Sequence, residues 1–78
     1  MTMVTAYVMI KASTGEADRL LESIADIDGV VDAHIVAGDV DVIAKVEVDE
    51  PAAVKGIAAD GVQNVRGVEN TQTYIAMD

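Results

Sequence analysis

The feature that most constrains the fold is a Gly-Asp turn placed between two apolar, β-branched runs. Residues 34–37 lead into the turn Gly38-Asp39-Val40-Asp41, and residues 42–48 lead out of it. Gly-Asp is a hairpin signal because both residue types tolerate the positive φ angles of tight turns. We therefore expect an antiparallel pair of strands over residues 30–37 and 40–48.

The segments on either side of this pair supply the other elements. Alternating apolar residues predict a first strand over residues 3–12. Apolar residues at helical spacing predict a helix near residues 15–27, which ends before Gly29. Pro51 opens a second helix, because proline suits a first helical turn. Its apolar stripe is Val54, Ile57, Ala58, Val62 and Val65, and a last strand follows over residues 67–77.

The order of these elements defines a fold class. It reads β-α-β-β-α-β, and Gly29 and Gly67 each follow a helix and open a strand, so that the two halves repeat. Two βαβ halves in one short chain describe a ferredoxin-like plait. We therefore expect an α+β fold with a four-stranded antiparallel sheet, both helices on one face, and a single domain over residues 1–78.

The sheet face without helices is too apolar to be left in water. It is expected to carry Tyr7, Met9 and Ile43. A second copy of the chain, packed sheet on sheet about a two-fold axis, is the simplest cover for such a face. We expect a homodimer that assembles further.

Composition excludes several classes of function. The net charge of −9 argues against direct binding to a phosphate backbone. The absence of cysteine excludes disulfides, thiolate zinc sites and thiol catalysis. No apolar stretch approaches the roughly 20 residues that span a bilayer, and the N-terminus lacks the basic region of a signal peptide. We expect a cytoplasmic protein that does not bind membranes.

The same acidity suggests adaptation to high salt. The chain has 14 acidic residues against five basic ones, and neither Phe nor Trp. Proteins adapted to high intracellular salt are similar, because salt screens the self-repulsion of a highly charged surface. An acidic soluble domain without this halophilic adaptation has the same composition.

The Gly-Asp turn also concentrates groups that can bind a small ligand. Asp39 and Asp41 can pair with an ammonium group, and Gly38 lets backbone N–H groups approach a carboxylate. A plain hairpin turn with solvated carboxylates is the alternative. Thr71 and Thr73 share one face of the last strand, where they can contact a ligand or serve only as β-branched strand formers.

Other chemistry has little support in the sequence. His34 is the only histidine, and one imidazole with scattered carboxylates is poor evidence for a metal site. A solvated strand residue is the simpler interpretation of His34. Ser13 and Ser23 lack a base in any recognisable arrangement. We expect no metal, no cofactor and no enzymatic activity.

Four segments together resemble a known family. Residues 6–11, 27–34, 38–41 and 67–73 are similar, in order and spacing, to the C-terminal effector domain of Lrp/AsnC regulators, also called the RAM domain. The resemblance spans nearly the whole chain. It implies dimers that form octamers or similar rings, and an amino acid or related metabolite bound in a cleft between dimers. Carried over by position, the cleft residues are Gly38, Asp39, Val40, Asp41, Thr71 and Thr73.

The chain departs from the family pattern in two respects. Val40 stands where the family most often has Tyr between the two aspartates. The family's domain also follows a DNA-binding helix-turn-helix, so this chain resembles a stand-alone version without one. The resemblance implies a sensor that modulates transcription or amino-acid metabolism, with a full-length Lrp/AsnC regulator as a possible partner.

Two alternatives to this function stay open from the sequence. One is a small enzyme of the dimeric α/β-barrel type, for which the chain offers His34 and little else. The other is an assembly subunit that binds no ligand.

Overall fold

The computed structural model describes residues 3–13 and 15–77, so both ends of the expected domain lie outside the described residues. The predicted order of elements is confirmed. The elements are β1 (Val4–Ala12), α1 (Ala17–Ala25), β2 (Val30–Ile35), β3 (Val42–Val48), α2 (Pro51–Gly56), a π-helical segment (Ile57–Val62) and β4 (Val68–Ile75). No helix in this part of the chain is long and apolar enough to cross a membrane.

The strands form one antiparallel sheet in the order β2-β3-β1-β4. β1 and β3 lie in the centre and place Ala6, Val8 and Ile10 opposite Val46, Ala44 and Val42. These six side chains are fully buried, together with Leu20 and Ile24 of α1 and with Val54 and Val62 from the second helical region. Both helical regions therefore cover the same face, and the ferredoxin-like plait is confirmed.

The sequence predicted a single α-helix for the second helical region, and this prediction was wrong. The region is α-helical over Pro51–Gly56 and continues as a π-helix over Ile57–Val62. The longer bond from the Gln63 N–H to the Ala58 carbonyl, 3.1 Å, closes the wider turn. Val54, Ala58 and Val62 are all buried, so the wider turn accompanies burial at every fourth position.

The link between β2 and β3 is longer than the sequence predicted. The strands stop at Ile35 and resume at Val42, which leaves a six-residue loop, residues 36–41, in place of a tight Gly-Asp turn. Among the described residues only glycines have positive φ; Gly38 is one of them, at 154°, but Asp39 is not. The prediction of a tight Gly-Asp hairpin turn was therefore wrong, although the antiparallel pairing of the two strands is confirmed.

Asp41 fastens this loop to the end of β1. Its backbone N–H donates to the Ile10 carbonyl at 2.9 Å, and its carbonyl accepts the Val36 N–H at 2.9 Å. Its carboxylate oxygen Oδ2 accepts the backbone N–H of Ala12 at 2.8 Å in a half-buried position. These bonds explain the early end of β2, because Asp41 binds β1 as well as the residue that follows β2.

The internal repeat predicted at Gly29 and Gly67 is also confirmed. The two residues have φ angles of 98° and 100°. Each carbonyl accepts a backbone N–H from near the end of a central strand, from Glu47 at 2.9 Å and from Ser13 at 2.8 Å. The register shifts just after each glycine, as a bulge in the strand that follows would produce.

The uncovered face of the sheet carries the apolar residues expected there. Tyr7 lies opposite Tyr74, and Met9 lies opposite both Ile43 and Gln72. Tyr7 is 37% exposed and Tyr74 is 56% exposed. We call this the open face. The homodimer that would cover it stays a prediction.

Replacing Gly29 by alanine should destabilise the fold. A Cβ at Gly29 would contact Ile57 Cδ1 and would hold an L-residue in the left-handed region. We expect the free energy of unfolding, measured by urea denaturation, to fall by at least about 1 kcal/mol. Gly56→Ala is the matched control, because Gly56 has helical φ and ψ and open space where a Cβ would be. It should gain about 0.5–1 kcal/mol, and equal effects of the two changes would contradict this account.

Removing the Asp41 carboxylate should weaken the attachment of the loop. Asp41→Ala leaves the Ala12 N–H without its acceptor, and we expect a loss of about 1–2 kcal/mol in urea denaturation. Asp41→Asn keeps an oxygen that can accept the same bond, so it should lose clearly less. The role given to Asp41 is wrong if both variants unfold at the wild-type urea concentration.

Candidate ligand-binding pocket

A polar pocket of about 270 Å³ lies where loop 36–41 meets the ends of β1 and β4. We call it the polar pocket. Three segments of the chain provide its walls, with Met9 and Lys11 from β1, Asp39 and Val40 from the loop, and Asn70, Thr71 and Gln72 from β4.

Cross-strand register positions the β-strand residues of the polar pocket. Lys11 pairs with Asn70 and Met9 pairs with Gln72 across the antiparallel β1–β4 ladder. Side chains directly opposite each other in such a ladder lie about 4.5–5.5 Å apart at Cβ. All four residues belong to the open face, since they alternate with Val8 and Ile10, which face the helices.

The loop residues reach the polar pocket because Asp41 holds the loop against β1. The Lys11 ammonium then donates to the Asp39 backbone carbonyl at 3.4 Å, a long and exposed bond. The described residues offer the Asp39 carboxylate no hydrogen-bond or ion-pair partner. One free carboxylate and one cation therefore line a small volume, which suits a small zwitterion.

The structure divides the six predicted site residues among different surroundings. Asp39, Val40 and Thr71 line the polar pocket, and Gly38 precedes them with open space around it. Asp41 adjoins Val40, but its carboxylate is engaged by the Ala12 N–H. Asp41 is thus placed to support the site through the position of the loop.

The two threonines face the helices and not the open face. Thr71 lies opposite Ile10 and Thr73 opposite Val8, so they share a face as expected. The Thr71 hydroxyl accepts a hydrogen bond from Gln63 Nε2 at 2.9 Å. Thr73 lines a second cavity of about 330 Å³ between β4 and the second helical region. We call this second cavity the helix–strand groove.

Sequence reasoning did not select Lys11, Asn70 and Gln72, which line the polar pocket. The signal for them was present but incomplete. Lys11 follows Met9 by one alternation step, and Asn70 and Gln72 alternate with the two threonines. Only the register of the β1–β4 ladder, which pairs Lys11 with Asn70, shows that these polar side chains are neighbours.

His34 lies outside the polar pocket. It is exposed on β2, and its Nε2 lies 3.1 Å from Asp32 Oδ2. This placement agrees with a solvated strand residue. In residues 3–13 and 15–77, no group of three or more His, Asp or Glu side chains is arranged to hold a metal ion.

Comparison with known proteins identifies the family. The family model described as the Lrp/AsnC ligand binding domain matches residues 5–78. An uncharacterized HTH-type transcriptional regulator of Pyrococcus abyssi is 35% identical over 77 residues, which cover 95% of this chain. The chain spans 51% of that relative's length.

Solved structures show the same fold. TTHA0845 from Thermus thermophilus superposes with a TM-score of 0.92 at 28% identity, over 96% of this chain and 94% of that one. A transcriptional regulator of Neisseria meningitidis in complex with L-Met superposes with a TM-score of 0.84. Its identity of 14%, over 96% of this chain and 50% of that one, shows the fold alone. The resemblance drawn from the sequence is confirmed, and the chain belongs to the Lrp/AsnC family through its ligand-binding domain.

Proposed function

We propose that this domain is a non-catalytic sensor that binds a free amino acid in the polar pocket and modulates transcription or amino-acid metabolism through a partner. The observation that carries the proposal is a polar pocket lined by Asp39 and Lys11. The Asp39 carboxylate has no partner among the described residues, and the Lys11 ammonium bonds to the Asp39 backbone carbonyl. The family supports the proposal, and so does the Neisseria regulator, which shares the fold and was solved with L-Met.

The proposed binding mode follows from the charges of the polar pocket. The ligand's α-ammonium pairs with Asp39, and its carboxylate pairs with Lys11 or with backbone N–H groups near Gly38. Hydrogen bonds between charged partners are roughly twice as strong as neutral ones. Met9 and Val40 offer apolar contact to the ligand's carbon chain. The Thr71 hydroxyl already accepts one bond, so it contributes less.

Assembly is the second part of the proposal. A second copy covers the open face with its own open face, and dimers associate further into an octamer or similar ring. Met9 and Gln72 belong both to the open face and to the polar pocket. Occupancy of the pocket is therefore linked to assembly if the ligand prefers one assembled state. A full-length Lrp/AsnC regulator would offer an equivalent face for mixed assemblies.

The acidic surface is consistent with a protein that is adapted to high salt. The described part of the chain has no buried charged residue, so its acidic groups repel each other across the surface. We propose that potassium chloride stabilises the protein by screening this repulsion. Thermal midpoints that are the same in dilute and concentrated potassium chloride would exclude it.

Asp39→Asn should abolish most of the binding while the fold stays intact. In a thermal-shift panel of the common amino acids, a ligand at 100 times its dissociation constant stabilises by about 2.7 kcal/mol, which raises the midpoint by several degrees. Asp39→Asn removes the charge that pairs with the ligand ammonium, and we expect the affinity to fall at least about tenfold.

Asp26→Asn is the matched control for this change. Asp26 is also exposed, lies at the end of α1 and does not line the polar pocket, so replacing it should leave the affinity unchanged. A panel in which no amino acid raises the midpoint would contradict the proposal. So would equal affinity losses in the two variants.

Light scattering on the same samples tests assembly separately. The mass should be at least twice the 8.1 kDa of the chain, and it should change when the ligand is added. A mass of one chain with and without ligand would contradict the assembly part of the proposal and leave the binding part standing.

A further inference from the structure

The polar pocket holds an excess of hydrogen-bond donors. From this we infer that it selects amino acids with an acidic side chain, L-glutamate or L-aspartate, over amide and apolar amino acids. The inference rests on the function proposed above and adds the class of ligand.

Asn70 supplies the first unused donor. Its Oδ1 accepts the backbone N–H of Thr71 at 2.9 Å. An N–H group can bond only to the amide oxygen of Asn70, so this contact fixes which way the amide points. The amide nitrogen of Asn70, with two donors, is left for a ligand.

Gln72 supplies the second unused donor. Its Oε1 accepts the hydroxyl of Tyr74 at 3.2 Å. The acceptor atom of this amide is therefore engaged on the open face, while its nitrogen has no partner among the described residues. Both amides of the pocket are thus used as acceptors by the protein and left as donors for the ligand.

Lys11 completes the set of donors. An ammonium group has three donors and no acceptor, and the Lys11 ammonium gives one long bond of 3.4 Å to the Asp39 carbonyl. Among the described residues, ion pairs hold Arg19 with Glu16 and Lys45 with Glu47, whereas Lys11 lies within hydrogen-bonding reach of no carboxylate. Against these donors stands one charged acceptor, the carboxylate of Asp39.

This balance favours a ligand with two carboxylates and one ammonium. Any amino acid pairs its ammonium with Asp39 and its α-carboxylate with one group of donors. Only an acidic side chain then provides acceptors for the donors that remain. The side chain of glutamine or asparagine has only one acceptor oxygen, and its amide nitrogen is a donor that cannot accept a hydrogen bond from the donors of the pocket. An apolar side chain leaves them unpaired once water is displaced, which is costly.

Asp39 also gives the pocket a preference for an acidic amino acid over a dicarboxylate that lacks an ammonium group. 2-Oxoglutarate has the two carboxylates of glutamate but lacks the ammonium group, so its carboxylates meet Asp39 without a compensating cation. The surrounding protein, at a net charge of −9, adds to the repulsion. We expect 2-oxoglutarate to bind more weakly than L-glutamate.

Isothermal titration of the full chain with L-glutamate, L-aspartate, L-glutamine, L-methionine and 2-oxoglutarate tests the inference. We expect glutamate or aspartate to bind at least about tenfold more tightly than the other three. Lys11→Met should lower the affinity for the acidic ligands about tenfold or more. Lys55→Met, which removes an exposed lysine of α2 outside the polar pocket, should leave it unchanged.

Asn70→Asp is the sharper variant. It keeps the oxygen that accepts the Thr71 N–H and replaces the free amide nitrogen by a second carboxylate oxygen. The preference for glutamate over glutamine should fall about tenfold or reverse. Wild-type protein that binds glutamine or methionine as tightly as glutamate would overturn the inference and leave the proposed function standing. Binding of none of the amino acids would overturn both.

Discussion

The hydrogen bonds of Asp41 at the end of β1 are the constraint on which the candidate site depends. The Asp41 carboxylate and backbone N–H bind two residues of β1, Ala12 and Ile10. Without them, only the long bond from the Lys11 ammonium to the Asp39 carbonyl would join loop 36–41 to β1, and Asp39 would be held less firmly near Lys11. β1 also pairs with β4 and so places Asn70 and Gln72. One strand end therefore organises every wall of the polar pocket.

The framework of the fold could be read from local sequence patterns. Alternation in β1 and the helical stripes depend only on neighbouring residues, and they predicted the order of elements and most of the core. The length of the β2–β3 link could not be read in this way. It is set by the bond between Asp41 and Ala12, which are 29 residues apart. The change from α- to π-helix after Gly56 accompanies close packing on the sheet, which no helical stripe in the sequence reveals.

The candidate site was predictable in part for a related reason. Asp39 and Val40 belong to a turn whose composition is informative by itself. Lys11, Asn70 and Gln72 become a group only through the β1–β4 register, and that register shifts by one residue near Lys11. The threonines of β4 were predicted as site residues because the resemblance to the family places them in its ligand cleft. Alternation places both threonines toward the helices, although Thr71 also lines the polar pocket, and it places Asn70 and Gln72 on the open face.

The central claim is that an effector occupies the polar pocket and not the helix–strand groove. An ¹⁵N NMR titration with L-glutamate tests it most directly, because each backbone amide reports on its own surroundings. We predict that chemical-shift changes concentrate at Lys11, Asp39, Val40, Asn70 and Gln72. Changes confined to Ala58, Thr73 and Ile75, which line the helix–strand groove, would contradict it.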